Sequence, residues 1–332
     1  MDDEFQKAIL ERLRTIESRI ARLEGRMDLA ARAYSLARHQ LRRIWLRPPL
    51  WKFEQYSPRP VASASSNRHG QLSDPVPRIA IVTPSYNHCK YVRATIESVL
   101  SQDYPKLFYH VQDGASTDGT IDLLKTYGER IGWRSEPDSG QAQAINRGFA
   151  GVDCEIMAYL NSDDMLMPGT LAYVASVFHA RPDVDIVYGH RVFINSDGLE
   201  VGRAVLPLHH AKSLLWADYI PQETLFWRRR VWDAVGPIDE NFNYALDWEF
   251  LLRVQAAGFK FVRLPRFLAC FRVHDEQKTA AIYDVGRREM QALRKQYVGH
   301  EPTQGRIYRA MFPYLARQWV YHWMHRIGIL RY

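Results

Sequence analysis

The sequence has 332 residues, of which 46% are hydrophobic and 24% are charged, and its formal net charge is +7. These values are typical of a globular protein and exclude a disordered or fibrous chain. Three cysteines are too few and too widely spaced for a disulfide framework or a zinc motif, which favours a reducing, cytoplasmic setting. Because there is no run of 18 apolar residues and no basic leader, neither a transmembrane helix nor export is expected.

The charge is unevenly distributed and divides the chain into four segments. Residues 1–47 contain 11 basic and 7 acidic side chains, and residues 276–332 contain 10 and 4. Residues 78–275 are acidic, with 20 basic and 24 acidic side chains, and residues 48–77 are rich in proline and serine. We therefore predict an N-terminal helix, a linker, a central domain and a basic C-terminal extension.

The N-terminal segment has the hydrophobic pattern of a coiled coil. Apolar residues alternate at spacings of four and three from Ile9 to Ile44, and arginine and glutamate occupy facing g and e positions in the first heptads. This pattern predicts a homo-oligomer formed through residues 9–44. The alternative is an amphipathic helix lying on its own domain or on a membrane, which the arginines after Met27 favour.

Strands and helices alternate through the central domain. Runs rich in β-formers predict strands at 79–82, 108–111, 155–160 and 185–188. Helical spacing and caps predict helices at 90–102, 118–127, 140–150, 168–180 and 246–255. This alternation is typical of an α/β fold with a mostly parallel, Rossmann-like sheet and helices on both faces. Ligands bind beyond the carboxyl ends of the strands in such sheets.

Polar and acidic residues follow the predicted strands and indicate an acidic crevice. Such a crevice holds a divalent cation or performs acid–base chemistry. The adjacent Asp163 and Asp164 suit Mg²⁺ or Mn²⁺ that also contacts a phosphate, and the alternative is a helix N-cap. Since the sequence lacks a glycine-rich phosphate loop, a bound diphosphate would have to be held by the metal.

A series of short motifs completes the central domain. They are TPSYN at 83–87, ESVLSQ at 97–102, DGASTDGT at 113–120, QAQAINRG at 141–148, NSDD at 161–164, ALDWE at 245–249 and FRVH at 271–274. Together they resemble a family 2 glycosyltransferase with the GT-A fold. The resemblance implies inverting transfer of a sugar from a nucleotide-diphosphate donor, with a UDP-sugar expected first. The acceptor would be a hydroxyl group of a glycan or of a lipid-linked glycan.

The resemblance also implies roles for individual residues. Asp247 would be the general base, ionised at pH 7 and so able to take the proton of the acceptor hydroxyl. Asp163, Asp164 and His274 would hold Mn²⁺ or Mg²⁺. The nucleotide sugar would contact Pro84, Tyr86, Asp113, Asp138, Gly140 and Asp163. We also expect Gln222, Glu223 and Trp248 to face the acceptor. Two positions depart from the usual pattern, Asn161 and Leu246, where many relatives carry acids.

The C-terminal extension combines arginine with aromatic side chains. After Glu301 it has no acidic residue. This composition predicts a helix on an anionic membrane surface, so that the protein would be peripheral on the inner face of the cytoplasmic membrane. The alternative is a helix packed on the domain, and nucleic acid is not expected because no recognition motif is present. A catalytically silent scaffold that organises partners through the coiled coil is the alternative function.

Overall fold

The structure of the chain is a computed structural model that describes residues 53–61, 74–274 and 283–332. The predicted coiled-coil helix at 1–47 and its oligomer through 9–44 lie outside the described residues. The strands are β1 (Ile79–Ser85), β2 (Leu107–Asp113), β3 (Gly132–Ser135), β4 (Ile156–Tyr159), β5 (Met165–Leu166), β6 (Ile186–Ile194), β7 (Glu200–Ala204), β8 (Phe226–Arg228) and β9 (Phe261–Arg272).

Helices connect and cover these strands. They are α1 (Cys89–Leu100), α2 (Thr120–Lys125), α3 (Gln141–Phe149), α4 (Thr170–Ala180), α5 (Ala211–Leu214), α6 (Arg229–Val235), α7 (Leu246–Ala256), α8 (Tyr283–Val298) and α9 (Gln304–Arg326). Two short 3-10 turns, Gly128–Arg130 and Gln222–Thr224, complete the regular structure of the described residues.

The strands form a single sheet in the order β3-β2-β1-β4-β8-β6-β9-β5, with β7 beside β6. Strands β1 to β4 are parallel to one another, and β6 is parallel to β9. The short strands β5, β7 and β8 are antiparallel to their neighbours. The α/β class and the mostly parallel sheet expected from the sequence are therefore confirmed, and the carboxyl ends of β1, β2, β3 and β4 meet at one edge.

Strand β1 forms the centre of the core because both of its faces are covered. Ile79 and Ile81 belong to the hydrophobic cluster on one face, and Ala80 and Val82 belong to the cluster on the other. This two-sided burial explains the uninterrupted apolar run of the strand. Helix α3 reaches β1 through Gly148, where an added Cβ would lie 2.4 Å from a methyl carbon of Val82.

Residues 53–61, part of the predicted linker, pack against the edge of the sheet at β7. Glu200 at the start of β7 has a fully buried side chain. Its carboxylate accepts hydrogen bonds from Arg59 at 2.7 Å, from Arg203 at 2.8 and 2.9 Å, and from the hydroxyl of Tyr56. These donors compensate the carboxylate for the loss of water.

Helix α9 packs through one face against the hydrophobic core beside the sheet. Met311, Tyr314 and Gln318 are its buried residues, and the ring of Tyr314 stacks on Tyr219 with centroids 4.1 Å apart. Among the described helices, none combines the length and the apolar character that crossing a bilayer requires.

Candidate active site

Asp113, at the end of β2, holds together the loops that follow three parallel strands. Its carboxylate accepts hydrogen bonds from the backbone N–H of Ser116 at 2.9 Å, from the Ser116 hydroxyl at 2.5 Å and from the Ser135 hydroxyl at 2.7 Å. The side chain is fully buried. Asp113 therefore supports the wall of the predicted nucleotide pocket from behind, and the buried Pro84 on β1 does the same.

An open surface lies in front of that wall. Tyr86 exposes 63% of its area, and Asp138 lies so close that a Cβ at Gly114 would be 2.9 Å from the Asp138 carboxylate and 3.3 Å from the Tyr86 ring. Asp138 also accepts a hydrogen bond of 2.9 Å from the N–H of Gly140, which precedes α3. The structure thus brings together Tyr86, Asp138 and Gly140, with glycine backbone between them where a flat ligand could approach closely.

The loop after β4 contains the two adjacent acids, and they point in different directions. Asp164 is only 1% exposed, and its carboxylate accepts a 3.0 Å hydrogen bond from the backbone N–H of Arg272. Burial raises the pKa of Asp164 well above its usual range, and the charges of Asp163 and Glu223 raise it further. Asp164 is thus a buried group of the loop, and its sharing of a metal with Asp163 stays a prediction.

Asp163 instead meets His274, which follows β9. The two side chains approach to 3.1 Å between His274 Nε2 and Asp163 Oδ2. His274 is almost completely buried, its ring packs 4.5 Å from that of Tyr91, and its Nδ1 is buried without a hydrogen-bond partner. A carboxylate beside an imidazole fits Mn²⁺, which accepts both oxygen and nitrogen ligands.

These two side chains do not by themselves complete a coordination shell. Within the part of the chain that the structure describes, no group of three or more His, Cys, Asp or Glu side chains is arranged to hold a metal ion. Oxygen atoms from a diphosphate and from water would have to supply the remaining ligands, as is usual for Mg²⁺ and Mn²⁺ at phosphate sites.

Arg272 holds the loop that contains Asp163 through hydrogen bonds to backbone oxygens. Its guanidinium donates to the backbone oxygens of Asp163 at 2.8 Å, Asn195 at 3.1 Å and Ser196 at 3.2 Å, and it lies under the Tyr91 ring. Burial lowers the pKa of Arg272 slightly from its very high usual value, which leaves the side chain charged.

A second group of carboxylates surrounds Tyr159, the last residue of β4. Burial raises the pKa of the Tyr159 hydroxyl well above its usual value. The charges of Asp247, Asp218 and Glu223 raise it further, so the three carboxylates act on the same hydroxyl. Asp247 lies in the first turn of α7 and accepts a 2.9 Å hydrogen bond from the N–H of Trp248.

Asp218 is a member of this group that the sequence motifs do not indicate. Asp218 is an exposed residue, although protein atoms are packed around its carboxylate group. Burial raises the pKa of Asp218 well above its usual value, and the charge of Asp247 is the next largest cause. The interaction between the two charges places the Asp218 and Asp247 carboxylates in the same part of the molecule. Only the electrostatic interaction between them, absent from any local pattern, identifies the pair.

The three residues expected at the acceptor lie at different depths. Glu223 is 3% exposed and forms a salt bridge of 2.7 Å with Arg191. Gln222 donates a 2.7 Å hydrogen bond to the backbone oxygen of Tyr159, while its own side-chain oxygen is buried without a partner. Both therefore form the floor of the cleft. Trp248 does not face the cleft, because it is 1% exposed in the core and its ring N–H donates to Leu214 O at 2.7 Å.

Comparison with known proteins agrees with this geometry. Residues 80–238 match the family model "Glycosyl transferase family 2". A PGL/p-HBAD biosynthesis glycosyltransferase of Mycobacterium tuberculosis is 29% identical over 182 residues, which cover 53% of this chain and 69% of that protein. An uncharacterized glycosyltransferase of the same species is 27% identical over 180 residues, covering 53% and 68%.

Two solved structures show the same fold at low identity. The TarS 1-349 fragment from S. aureus, solved with UDP-GlcNAc, has a TM-score of 0.53 and 15% identity, and the match covers 74% of this chain and 73% of that one. The mannosyltransferase PcManGT from Pyrobaculum calidifontis, solved with GDP-Man and Mn²⁺, has a TM-score of 0.52 and 19% identity, with 82% and 74% covered. These likenesses establish the GT-A fold.

Proposed function

Because residues 80–238 of this chain belong to glycosyl transferase family 2, we propose that it transfers a sugar from a nucleotide-diphosphate donor to an acceptor hydroxyl with inversion at the anomeric carbon. The observation that carries this proposal is the arrangement around β4. Asp163 follows β4 and lies beside His274. Asp247 lies near Tyr159, which is the last residue of β4. One short segment thus separates a donor-binding group from a general base.

The donor end of the cleft is formed by the surface of Tyr86 and Asp138. The tyrosine ring offers an apolar face for a base, and Asp138 offers a carboxylate oxygen for a ribose or base N–H group. We expect the nucleotide of the donor to be UDP. TarS was solved with UDP-GlcNAc, and PcManGT with GDP-Man, so a guanine nucleotide is the competing candidate.

The diphosphate would lie between this surface and Asp163. Asp163 and His274 are the residues that would hold Mn²⁺ or Mg²⁺, which when bound supplies positive charge for the departing diphosphate. Arg272 holds the backbone of Asp163 in place through its guanidinium. Because Asp164 is turned inward and its pKa is raised, its part is to anchor the loop against β9.

Asp247 acts on the acceptor side. Its carboxylate takes the proton of the acceptor hydroxyl while the acceptor oxygen bonds to the anomeric carbon and the bond from that carbon to the diphosphate oxygen breaks. The donor leaves as a nucleoside diphosphate. This single displacement inverts the anomeric configuration, as in glycoside hydrolases that use one base on the far face of the sugar. The acceptor is a hydroxyl of a glycan or of a lipid-linked glycan.

A donor panel with the purified full chain tests this proposal. UDP-, GDP- and dTDP-sugars are incubated with Mn²⁺ and a mixture of glycan and lipid-linked glycan acceptors, and the release of nucleoside diphosphate is measured. Thermal stabilisation by the same donors is measured separately. We expect D247N to lower turnover by about 10²- to 10⁴-fold while donor binding stays unchanged. D153N, which alters a carboxylate with 98% of its side chain exposed, is the matched control.

The outcomes separate the two functions considered. Turnover by D247N equal to that of the unaltered chain refutes Asp247 as the base. A chain that is stabilised by a donor but releases no nucleotide from any member of the panel is the catalytically silent scaffold. For the oligomer through residues 9–44, light scattering compares the full chain with one that lacks residues 1–47, and an equal number of subunits in both excludes the coiled coil.

A further inference from the structure

Helix α9 has an exposed face that no other described element covers. At 3.6 residues per turn, Tyr308, Phe312, Trp319 and Trp323 fall within about 60° of one another around the helix. Tyr308, Phe312 and Trp319 expose 59, 68 and 38% of their areas. The buried residues Met311, Tyr314 and Gln318 fall between about 240° and 300° from Tyr308, on the side of the helix that packs on the domain. The aromatic stripe thus borders the packed side and is open to solvent.

Cationic side chains border this stripe. Arg306, Arg309 and Arg317 project between about 100° and 180° from Tyr308, on one flank of the stripe, and Arg326 continues it at the end of the helix. All four are exposed. Residues 302–332 contain no aspartate or glutamate. The segment therefore has no acidic side chain of its own with which to neutralise these charges.

Exposed aliphatic side chains extend the apolar part of the surface. Val320 on the helix exposes 45% of its area, and Ile327 and Ile329, which follow the helix, expose 62 and 63%. Large apolar residues grouped in this way are uncommon on a solvent-facing surface and mark interaction sites. The stripe with these three residues and the four arginines is called the α9 face below.

We propose that the α9 face docks the chain on the surface of an anionic lipid bilayer. Tryptophan and tyrosine favour the headgroup region, where the ring is apolar and the polar edge stays hydrated. Aliphatic side chains enter the acyl boundary, and arginines on the adjoining flank contact anionic headgroups. Nucleic acid would use the arginines and the rings, but it offers no apolar phase for the isoleucines.

The other side of α9 joins this surface to the catalytic cleft. Tyr314 is fully buried and stacks on Tyr219, the residue directly after Asp218. Tyr219 in turn bonds to His209 at 2.9 Å and accepts the N–H of His210 at 2.9 Å. The helix that carries the docking surface therefore also supports the segment that forms the Asp218 wall of the cleft. If the proposed transfer is correct, an acceptor anchored in the same bilayer fits this arrangement.

Vesicle co-sedimentation with the full chain tests the proposal without any donor or acceptor. The probes are vesicles of phosphatidylcholine alone and of phosphatidylcholine with about 30 mol% phosphatidylglycerol. We expect binding to the anionic vesicles only, weakened at 0.5 M salt because charges are screened there at roughly 4 Å. We expect R309E/R317E to weaken this binding at least about 30-fold and F312A/W319A about tenfold. R93E/R130E, which changes the net charge equally at exposed sites outside α9, should bind as the unaltered chain does.

Several results would overturn the docking proposal. They are the absence of binding, equal binding to neutral vesicles, and equal losses in R309E/R317E and R93E/R130E. Full binding by both α9 variants would place the contact elsewhere on the chain. A short RNA duplex included as competitor provides a further check, because RNA binding that depends on α9 without vesicle binding identifies a nucleic-acid surface. Sugar transfer is not measured in these assays, so their failure leaves the proposed function untouched.

Discussion

The imidazole of His274 and the carboxylate of Asp163 lie side by side, with His274 Nε2 3.1 Å from Asp163 Oδ2. The two residues are 111 positions apart in the chain, one after β4 and the other after β9. The pair is solvent-accessible chiefly through Asp163, since only 3% of the His274 side chain is exposed against 14% for Asp163. In the proposed function, an aspartate and a histidine held in this way would supply two ligands of a metal site that a donor's diphosphate completes.

We expect H274A to lose most of the extra thermal stabilisation that Mn²⁺ adds when UDP or GDP is bound. The stabilisation that the nucleotide gives without metal should be kept. A nucleotide present at 100 times its dissociation constant adds roughly 2.7 kcal/mol to the free energy of unfolding. A tenfold weaker complex lowers that gain by about 1.4 kcal/mol. Thermal shift with and without Mn²⁺ measures the difference. H179A, at an exposed position near the end of α4, is the control. A Mn²⁺ effect that is unchanged in H274A removes the histidine from the metal site.

Gly114 tests the nucleoside surface. Its backbone conformation is available to any residue, so the effect of G114A comes from the added methyl group, which would lie 2.9 Å from the Asp138 carboxylate and 3.3 Å from Tyr86. Both side chains must move, and we expect nucleotide affinity to fall about tenfold while the free energy of unfolding changes by less than about 1 kcal/mol. Calorimetric titration checks this. In G305A nothing lies within 4 Å of the new methyl, so affinity should stay constant. Equal affinities in G114A and the unaltered chain would place the nucleoside elsewhere.

Asp218 should set the acid limb of the pH–rate profile. Two carboxylates that repel each other do not lose both protons at their ordinary pKa, and the pKa of Asp218 is raised well above its usual value by burial and by Asp247. In D218N that repulsion is absent, so the apparent pKa of the acid limb should move to lower pH by about one unit or more. The kcat/KM profile from pH 4 to 8 measures it, with D153N as the control. An unmoved limb means that Asp218 does not face the base.

Much of this architecture could be predicted from the sequence. The motifs indicated the family and the GT-A fold, and both are confirmed by the family match and the structural neighbours. The apolar run at β1 and the polar strand ends follow from local periodicity, which is why the parallel half of the sheet was predictable. Strands β3, β5, β7, β8 and β9 were not among the predicted ranges. Four of these five have only two to five residues, which are too few to show a period, whereas β9 has twelve.

Local sequence patterns did not predict the orientation of individual side chains. Asp163 and Asp164 are adjacent in sequence, yet one meets His274 and the other turns to the backbone of Arg272, because β9 runs beside this loop. Trp248 next to Asp247 lies in the core since α7 buries that side of its first turn. Asp218 belongs to no motif, and only the three-dimensional fold brings it opposite Asp247.

The free energy of unfolding should fall as the pH is lowered from 6.5 toward 4, because two histidines are neutral in the fold. His190 is fully buried, and its Nδ1 accepts the Leu206 N–H at 3.0 Å. Burial lowers its pKa well below the usual value. His209 stacks on Phe261, and burial lowers its pKa to about 4. In the unfolded chain both take up protons near pH 6.5, so the stability is fully present above that pH and declines below it.

The size of this effect follows from the number of protons. Each histidine contributes a slope of up to about 1.4 kcal/mol per pH unit. The pair therefore gives a slope of at most about 2.7 kcal/mol per pH unit between pH 6 and 4.5. Urea denaturation at pH 7.5, 6.5, 5.5 and 4.5 measures the slope. H209Q should lower the slope by up to about 1.4 kcal/mol per pH unit, whereas H179A should leave it unaltered, because His179 is exposed. Buried Glu200 adds to the fall only at the lower end of this window: burial opposes its ionisation, yet its hydrogen-bond donors lower its pKa from 4.5 to about 2, so only the unfolded chain takes up a proton there. The raised pKa values of Asp164 and Asp218 act in the opposite direction, because the folded chain keeps their protons to higher pH, so the histidine effect is the difference between the unaltered chain and H209Q. An equal slope in both would mean that His209 is protonated in the folded chain.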